Sequence, residues 1–209
     1  MKTFLILILL KFTIFYFLRF NIDYESLFYA SYDDEVLDII NKNKENLNWK
    51  YKYLFPTIFI FIQLIIKTTA ISLIIYTGLF FVNSIEGTKS LAIIFSSVCI
   101  AELIFVIEKA VNLLVFIAKP DLTLAFIQHF SPVSLYGLLG QEIGIDYLNY
   151  FLKSINLYEI VYILVLAFLI SDNLDLGFSK SLKTTFFSYG SLMACWVVFV
   201  TYLILNISP

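Results

Sequence analysis

Long apolar runs separated by short polar stretches dominate the chain. They cover approximately residues 3–20, 54–82, 91–118, 155–171 and 184–207. A run of about 20 apolar residues is long enough to cross the roughly 30 Å hydrocarbon core of a bilayer as an α-helix. The pattern therefore predicts an all-α fold, a polytopic membrane helix bundle with four to five transmembrane helices.

The first run, Thr3 to Phe20, leaves two interpretations open. Lys11 interrupts its 18 residues, and a charge in so short a run disfavours a complete crossing. Lys2 precedes the apolar stretch as in a signal peptide, but no small-residue cleavage site follows Phe20. The segment is therefore predicted to be either an uncleaved membrane helix or a helix lying at the interface.

The polar positions divide the chain into two predicted regions. Residues 1–53 combine the first run with an acidic amphipathic segment, in which Ser31 followed by Asp34 resembles a helix start. Residues 54–209 form the membrane domain. Within it, the mixed stretch 122–154 contains glycines and polar residues and predicts a partly embedded connection with short amphipathic helices.

Composition supports a membrane location. The chain is 60% hydrophobic and 14% charged, whereas soluble domains are nearer half apolar and a quarter charged. The net charge of −2 and the lack of a basic patch argue against nucleic acid, so lipid is the expected surrounding partner. Lysines in residues 21–53 favour a cytoplasmic location for that segment. Abundant Ile, Lys, Asn and Phe with little Ala and Gly suggest an A/T-rich genome.

The sequence predicts no catalytic, cofactor-binding or metal site. Cys99 and Cys195 both lie in apolar runs, which is typical of packing rather than of a metal site. His129 is the single histidine, so a zinc site built on several histidines is excluded. The chain also lacks a P-loop, a G-x-S-x-G elbow and an H-E-x-x-H motif. We therefore expect a protein that is not an enzyme.

Ionisable residues inside the apolar runs are the main functional candidates. Lys67 lies near the middle of the second run and Glu102 near the middle of the third. Charges at this depth are costly and pair with each other or mark a pathway. Lys67 is predicted to face Glu102 or Glu108 on the adjacent helix, with Glu102 the favoured partner. The pair either belongs to a polar pathway or is a neutralised pair that fixes helix register. The candidate intramembrane polar network is Lys67, Glu102, Glu108, Lys109 and Asn112.

Small residues four positions apart are candidates for close helix packing. Two such pairs occur, Ser97 with Ala101 and Gly190 with Ala194.

The C-terminal part of the chain carries short segments with a family resemblance. They are Ser131-Pro132-Val133-Ser134-Leu135, Ile155-Asn156-Leu157-Tyr158-Glu159-Ile160 and Gly177-Phe178-Ser179-Lys180-Ser181-Leu182, followed by a final helix containing Trp196. Over about residues 130–200 the chain resembles the Yip1 domain family of multi-spanning membrane proteins. The resemblance implies a bundle of about five helices and a cytoplasmic N-terminal region, with no catalytic residues to transfer. The family includes many bacterial proteins, so the resemblance together with the A/T-rich composition favours a bacterial inner membrane.

Three functional hypotheses follow. The first is a non-enzymatic scaffold or accessory subunit that binds a membrane-protein partner, forms a homo-oligomer or organises lipid. The alternative is a transporter or channel subunit, for which Lys67 and Glu102 would line a water-filled cavity rather than form a tight, dry pair. An intramembrane enzyme is disfavoured, because Glu102 and Glu108 lie on different sides of one helix.

Overall fold

The computed structural model describes residues 2–22, 27, 49–82, 88–139 and 146–207 of the chain. Within this part the fold is all-α, as predicted, and contains no β-strand. The helices are α1 (Lys2–Asn21), α2 (Trp49–Phe81), α3 (Thr88–Ala101), α4 (Leu103–Ala118), α5 (Leu124–His129), α6 (Leu135–Leu139), α7 (Asp146–Ser154), α8 (Leu157–Asn173) and α9 (Phe178–Ile207). The predicted acidic amphipathic segment falls almost entirely in residues 23–48, outside the described residues apart from residue 27.

Four helical segments in the described residues are long and apolar enough to cross a membrane. They are Lys2–Asn21, Phe55–Phe81, Lys89–Ala118 and Phe178–Asn206. The third combines α3 and α4. Helix α8 has 17 residues and a length of about 25 Å, which is slightly less than the hydrocarbon core. The chain is thus an integral membrane protein with a helical fold.

Local capping sets the start of α8 and the turn into α9. The Asn156 side chain accepts a hydrogen bond at 2.8 Å from the backbone N–H of Glu159, so it caps the first turn of α8. After α8, Asp175 takes a positive φ of 51°, a conformation that Asp tolerates better than most residues. The Ser171 hydroxyl donates to the Leu176 carbonyl across this turn. The tight turn places α8 and α9 side by side.

The described chain divides into two compact units. The first comprises Met1–Leu7, Lys67–Phe105 and Ser131–Pro209, and the second comprises Ile8–Ile66 and Val106–Phe130. The division predicted between residues 53 and 54 falls inside α2, which begins at Trp49, and it stays a prediction.

The first unit has an apolar core to which four helices contribute. These helices are α2, α3, α8 and α9. The core side chains of α2, α3 and α8 are spaced three or four residues apart, as one helix face requires, and α9 contributes one residue. The core residues are Ile71, Ile75, Leu79, Ile94, Val98, Ala101, Tyr162, Leu166, Ile170 and Tyr189.

A short antiparallel bridge in the first unit joins residues 131–137 to the start of α8. Ser134 pairs with Asn156. The backbone N–H of Leu135 donates to the Ile155 carbonyl at 2.9 Å, and the N–H of Leu157 donates to the Val133 carbonyl at 3.0 Å. The Ser134 hydroxyl donates to the Ser131 carbonyl at 2.7 Å. The bridge therefore brings together two segments that are about 20 residues apart in sequence.

The second unit contains a cluster of aromatic side chains. The Phe116 ring lies 6.2 Å from the Phe126 ring and 5.3 Å from the Phe130 ring, measured between centroids. The Lys119 ammonium lies 3.3 Å from the Phe126 centroid, a favourable cation–π distance. In the same unit the hydroxyls of Tyr16 and Thr57 lie 3.0 Å apart and join α1 to α2. These contacts show how α4 and α5 pack after the chain turns at Lys119.

Candidate functional site

An ion pair between α2 and the end of α3 forms the centre of the candidate site. Lys67 Nζ lies 2.7 Å from Glu102 Oε1. The Glu102 side chain is completely buried, whereas the Lys67 side chain keeps 35% of its surface exposed. Each residue lies near the middle of its candidate membrane span. Because burial of a lone charge at this depth is costly, each side chain serves as the counter-ion of the other.

Two aromatic rings complete the surroundings of Lys67. Its ammonium lies 3.9 Å from the Phe105 centroid and 5.8 Å from the Tyr162 centroid. The rings of Phe105 and Tyr162 are themselves 5.0 Å apart. Cation–π attraction is strongest where water is excluded, so Phe105 adds to the stabilisation that Glu102 provides.

The helical span is interrupted at Glu102. Helix α3 ends at Ala101 and α4 begins at Leu103, where the sequence predicts a single helix over 91–118. The Glu102 N–H donates to the Val98 carbonyl as in an α-helix, but the Phe105 N–H donates to the Glu102 carbonyl at 3.2 Å. A bond of this i to i−3 type tightens the turn locally. The interruption therefore occurs at the one fully buried acid of the span.

A second polar contact lies on the other side of Tyr162. The Tyr162 and Tyr189 rings are 5.0 Å apart. The Tyr189 hydroxyl donates a hydrogen bond of 2.7 Å to Glu159 Oε2. The Tyr162 hydroxyl is buried and has no hydrogen-bond partner among the described residues. The Tyr162 ring thus contacts both Lys67 of α2 and Tyr189 of α9.

We expect Tyr189→Phe to lower the free energy of unfolding by about 1.5 kcal/mol, because a hydrogen bond to a carboxylate is lost while the ring is kept. Thermal unfolding in mild detergent measures the change. Tyr202→Phe is the matched control, since Tyr202 lies on the same helix with 61% of its surface exposed. Equal effects of the two substitutions would contradict a stabilising role for the Tyr189–Glu159 hydrogen bond.

The other three members of the predicted network belong to the second unit. Glu108 and Asn112 are half-buried and Lys109 is exposed. Within the described part of the chain, their side chains form no ion pair or hydrogen bond. The site described here consists of Lys67 and Glu102, and a network of all five residues stays a prediction.

The two predicted helix-packing pairs have different surroundings. Ser97 and Ala101 are both fully buried. The Ser97 hydroxyl donates to the Ile93 carbonyl at 3.1 Å and accepts from the Asn173 amide at 3.3 Å, which links α3 to α8. Gly190 has open space where a side chain would lie, and Ala194 is exposed. The α9 pair therefore leaves a small surface uncovered by the described chain.

Sequence reasoning missed a close approach between α2 and α9. A side chain at Gly78 would collide with the Ser188 hydroxyl and approach Thr184 Cγ2 within 3.1 Å. A glycine inside an apolar run is a signal for close approach. The sequence does not reveal the partner, because Thr184 and Ser188 are about 110 residues away along the chain.

The described residues also do not provide the arrangement of side chains that a metal ion needs. No group of three His, Cys, Asp or Glu side chains in this part of the chain is placed to hold a metal ion. An ammonium, a buried carboxylate and aromatic rings can neutralise charge and fix helix positions. No protein-family model, no curated protein and no solved structure matches the chain.

Proposed function

We propose that the chain is a non-enzymatic scaffold or accessory subunit of a bacterial inner membrane, which binds other membrane proteins or organises lipid through its exposed helix faces. Membership of the Yip1 domain family belongs to this proposal. The main support for the scaffold proposal is the direct contact between Lys67 and Glu102. Nζ and Oε1 are only 2.7 Å apart, and Glu102 is fully buried.

A pathway for ions or polar solutes needs polar groups that water can reach. Glu102 has no exposed surface, and Phe105 lies against the Lys67 ammonium. Such a pair costs desolvation energy and is most useful where it specifies one arrangement of helices. This favours a structural role for the pair. Other membrane proteins or lipid would then bind to the outer faces of the helices.

One observation favours the alternative, a transporter or channel subunit. The buried Tyr162 hydroxyl lacks a partner among the described residues, and the Tyr162 ring lies near both the Lys67 ammonium and the Tyr189 ring. Buried hydroxyls and carboxylates are groups that proton relays use. Proton and ion flux into vesicles that contain only the purified chain tests this alternative directly.

The scaffold proposal is tested by extracting the tagged chain with its surrounding lipid into polymer nanodiscs and weighing the intact assemblies by native mass spectrometry. We expect a second membrane protein in stoichiometric amount. Gly190→Leu should remove that protein, because leucine fills the open space beside Gly190 and blocks close helix approach. Phe199→Leu is the matched control, since Phe199 is 52% exposed and lies nine residues after Gly190, on the opposite side of the same helix.

Recovery of the chain without any other membrane protein, together with ion flux in vesicles, would contradict the proposal. A partner that stays bound in Gly190→Leu would place the binding surface elsewhere on the chain.

A further inference from the structure

The exposed side of α2 carries an amide at membrane depth. The spanning part of α2, Phe55–Phe81, has 27 residues and a length of about 40 Å, so its ends extend beyond a core of about 30 Å. Gln63 lies about 12 Å from the first end, which places it inside the core. Its side chain is exposed, and it makes no hydrogen bond with the residues that the structure describes. Lipid offers no hydrogen bonds, so an amide facing it is unfavourable.

Lys67 follows Gln63 by one helical turn, and side chains four residues apart lie on the same side of a helix. An ammonium has three N–H donors. Glu102 lies at 2.7 Å and the Phe105 ring at 3.9 Å from Nζ, while 35% of the Lys67 side chain stays exposed. One side of α2 therefore presents an amide that makes no hydrogen bond with the described residues and a partly exposed lysine side chain. We call Gln63, Lys67 and the exposed neighbours Phe59 and Ile66 the Gln63 face.

We propose that the Gln63 face binds the same face of a second copy of this chain, so that the two Gln63 amides hydrogen-bond to each other inside the membrane. The inference rests on the proposed function, because it names one partner of an exposed helix face. A carboxamide has both donors and an acceptor, so Gln63 is complementary to itself. Two copies inserted in the same orientation are related by a two-fold axis along the membrane normal, which makes their α2 helices parallel and brings equal positions together.

The charge of the Gln63 face is compatible with binding a second copy of the chain. Two lysines at one helix crossing would repel each other if both ammonium groups lacked counter-ions. Here each Lys67 is neutralised by Glu102 of its own chain at 2.7 Å. The Lys67 ammonium has three N–H donors, so one of them can donate to the Gln63 carbonyl oxygen of the second copy, which accepts more than one hydrogen bond.

The test measures self-association of the purified chain in vesicles of phosphatidylethanolamine and phosphatidylglycerol. Donor- and acceptor-labelled copies are mixed, and energy transfer is followed as the protein-to-lipid ratio rises. We expect a dimer for the wild type and a dissociation constant about tenfold higher for Gln63→Leu, as the loss of interhelical hydrogen bonds in a membrane implies. Gln63→Asn keeps an amide and should retain most of the association.

Ile65→Leu is the control on the same helix, because residue 65 points away from the Gln63 face and Ile65 is 37% exposed. Gln63→Leu replaces an exposed side chain, and an unchanged unfolding temperature verifies that it folds. A monomeric wild type at every protein-to-lipid ratio, or a dimer unaffected by Gln63→Leu, would overturn the inference. A monomer that still retains a different membrane protein in nanodiscs would leave the proposed function intact, so the two failures are distinguishable.

Discussion

Replacing Glu102 with leucine is expected to lower the free energy of unfolding by about 3 kcal/mol, the low end of the range for breaking a buried ion pair. The substitution leaves the Lys67 ammonium near the middle of its span without the carboxylate that lies 2.7 Å away in the wild type. The low end applies because the Phe105 ring stays beside the ammonium and a long lysine side chain can extend toward the membrane interface.

The double variant Lys67→Met/Glu102→Leu is expected to recover stability to within about 1 kcal/mol of the wild type. Replacing both members of a buried pair with apolar residues of similar volume is often neutral or stabilising, because no charge has to be desolvated. The two results together distinguish the destabilisation caused by an unpaired Lys67 charge from the net contribution of the intact pair to the free energy of unfolding.

The chain provides its own reporter for this measurement. Cys99 is buried and Cys195 is exposed, so in a Cys195→Ser background a fluorogenic maleimide reacts with Cys99 when the core opens. The temperature of half-reaction then gives the order of stabilities. A double variant as unstable as Glu102→Leu would contradict a charge-based explanation and would indicate that the shape of the pair determines the packing.

The fold class follows from the apolar runs, since a run of about 20 apolar residues is favourable only in lipid or a buried core. The positions of Lys67 and Glu102 near the middle of two runs indicate a pairing, because each charge needs a counter-ion at its own depth. Glu108 is a poorer candidate by the same reasoning, since it lies nearer the end of its run. Depth along a helix can thus be read from sequence, whereas the direction of a side chain around a bundle cannot.

Other features depend on contacts between distant segments and have no local signal. The hydrogen bond from Tyr189 to Glu159 requires the register between α8 and α9, and the interruption at Glu102 involves neither proline nor glycine. The start of α8 is different, because Asn156 followed three residues later by Glu159 has the spacing of a capping box. That local signal places the helix start at Leu157, two residues after the start of the apolar run at residue 155.

The bridge between residues 131–137 and the start of α8 leads to the second large expected effect, which concerns Gly137. A Cβ atom at Gly137 would lie 2.8 Å from the Pro132 carbonyl oxygen and 2.9 Å from the Pro132 carbonyl carbon, and closer still to the Ser131 carbonyl oxygen. All three are backbone atoms, so no side-chain rotation relieves the clash. The Ser134 hydroxyl accepts a hydrogen bond of 3.2 Å from the Gly137 N–H. It would be displaced together with these backbone atoms.

We expect Gly137→Ala to lower the free energy of unfolding by about 2 kcal/mol, which is typical of overpacking, and to loosen the pairing of Val133 and Leu135 with α8. Gly190→Ala is the matched control, because Gly190 is also helical and has open space around the added methyl group. That substitution should leave stability unchanged or raise it by up to about 1 kcal/mol, since alanine favours a helix over glycine. The Cys99 reaction on heating measures both variants, and equal changes in the two would contradict the close backbone approach at Gly137.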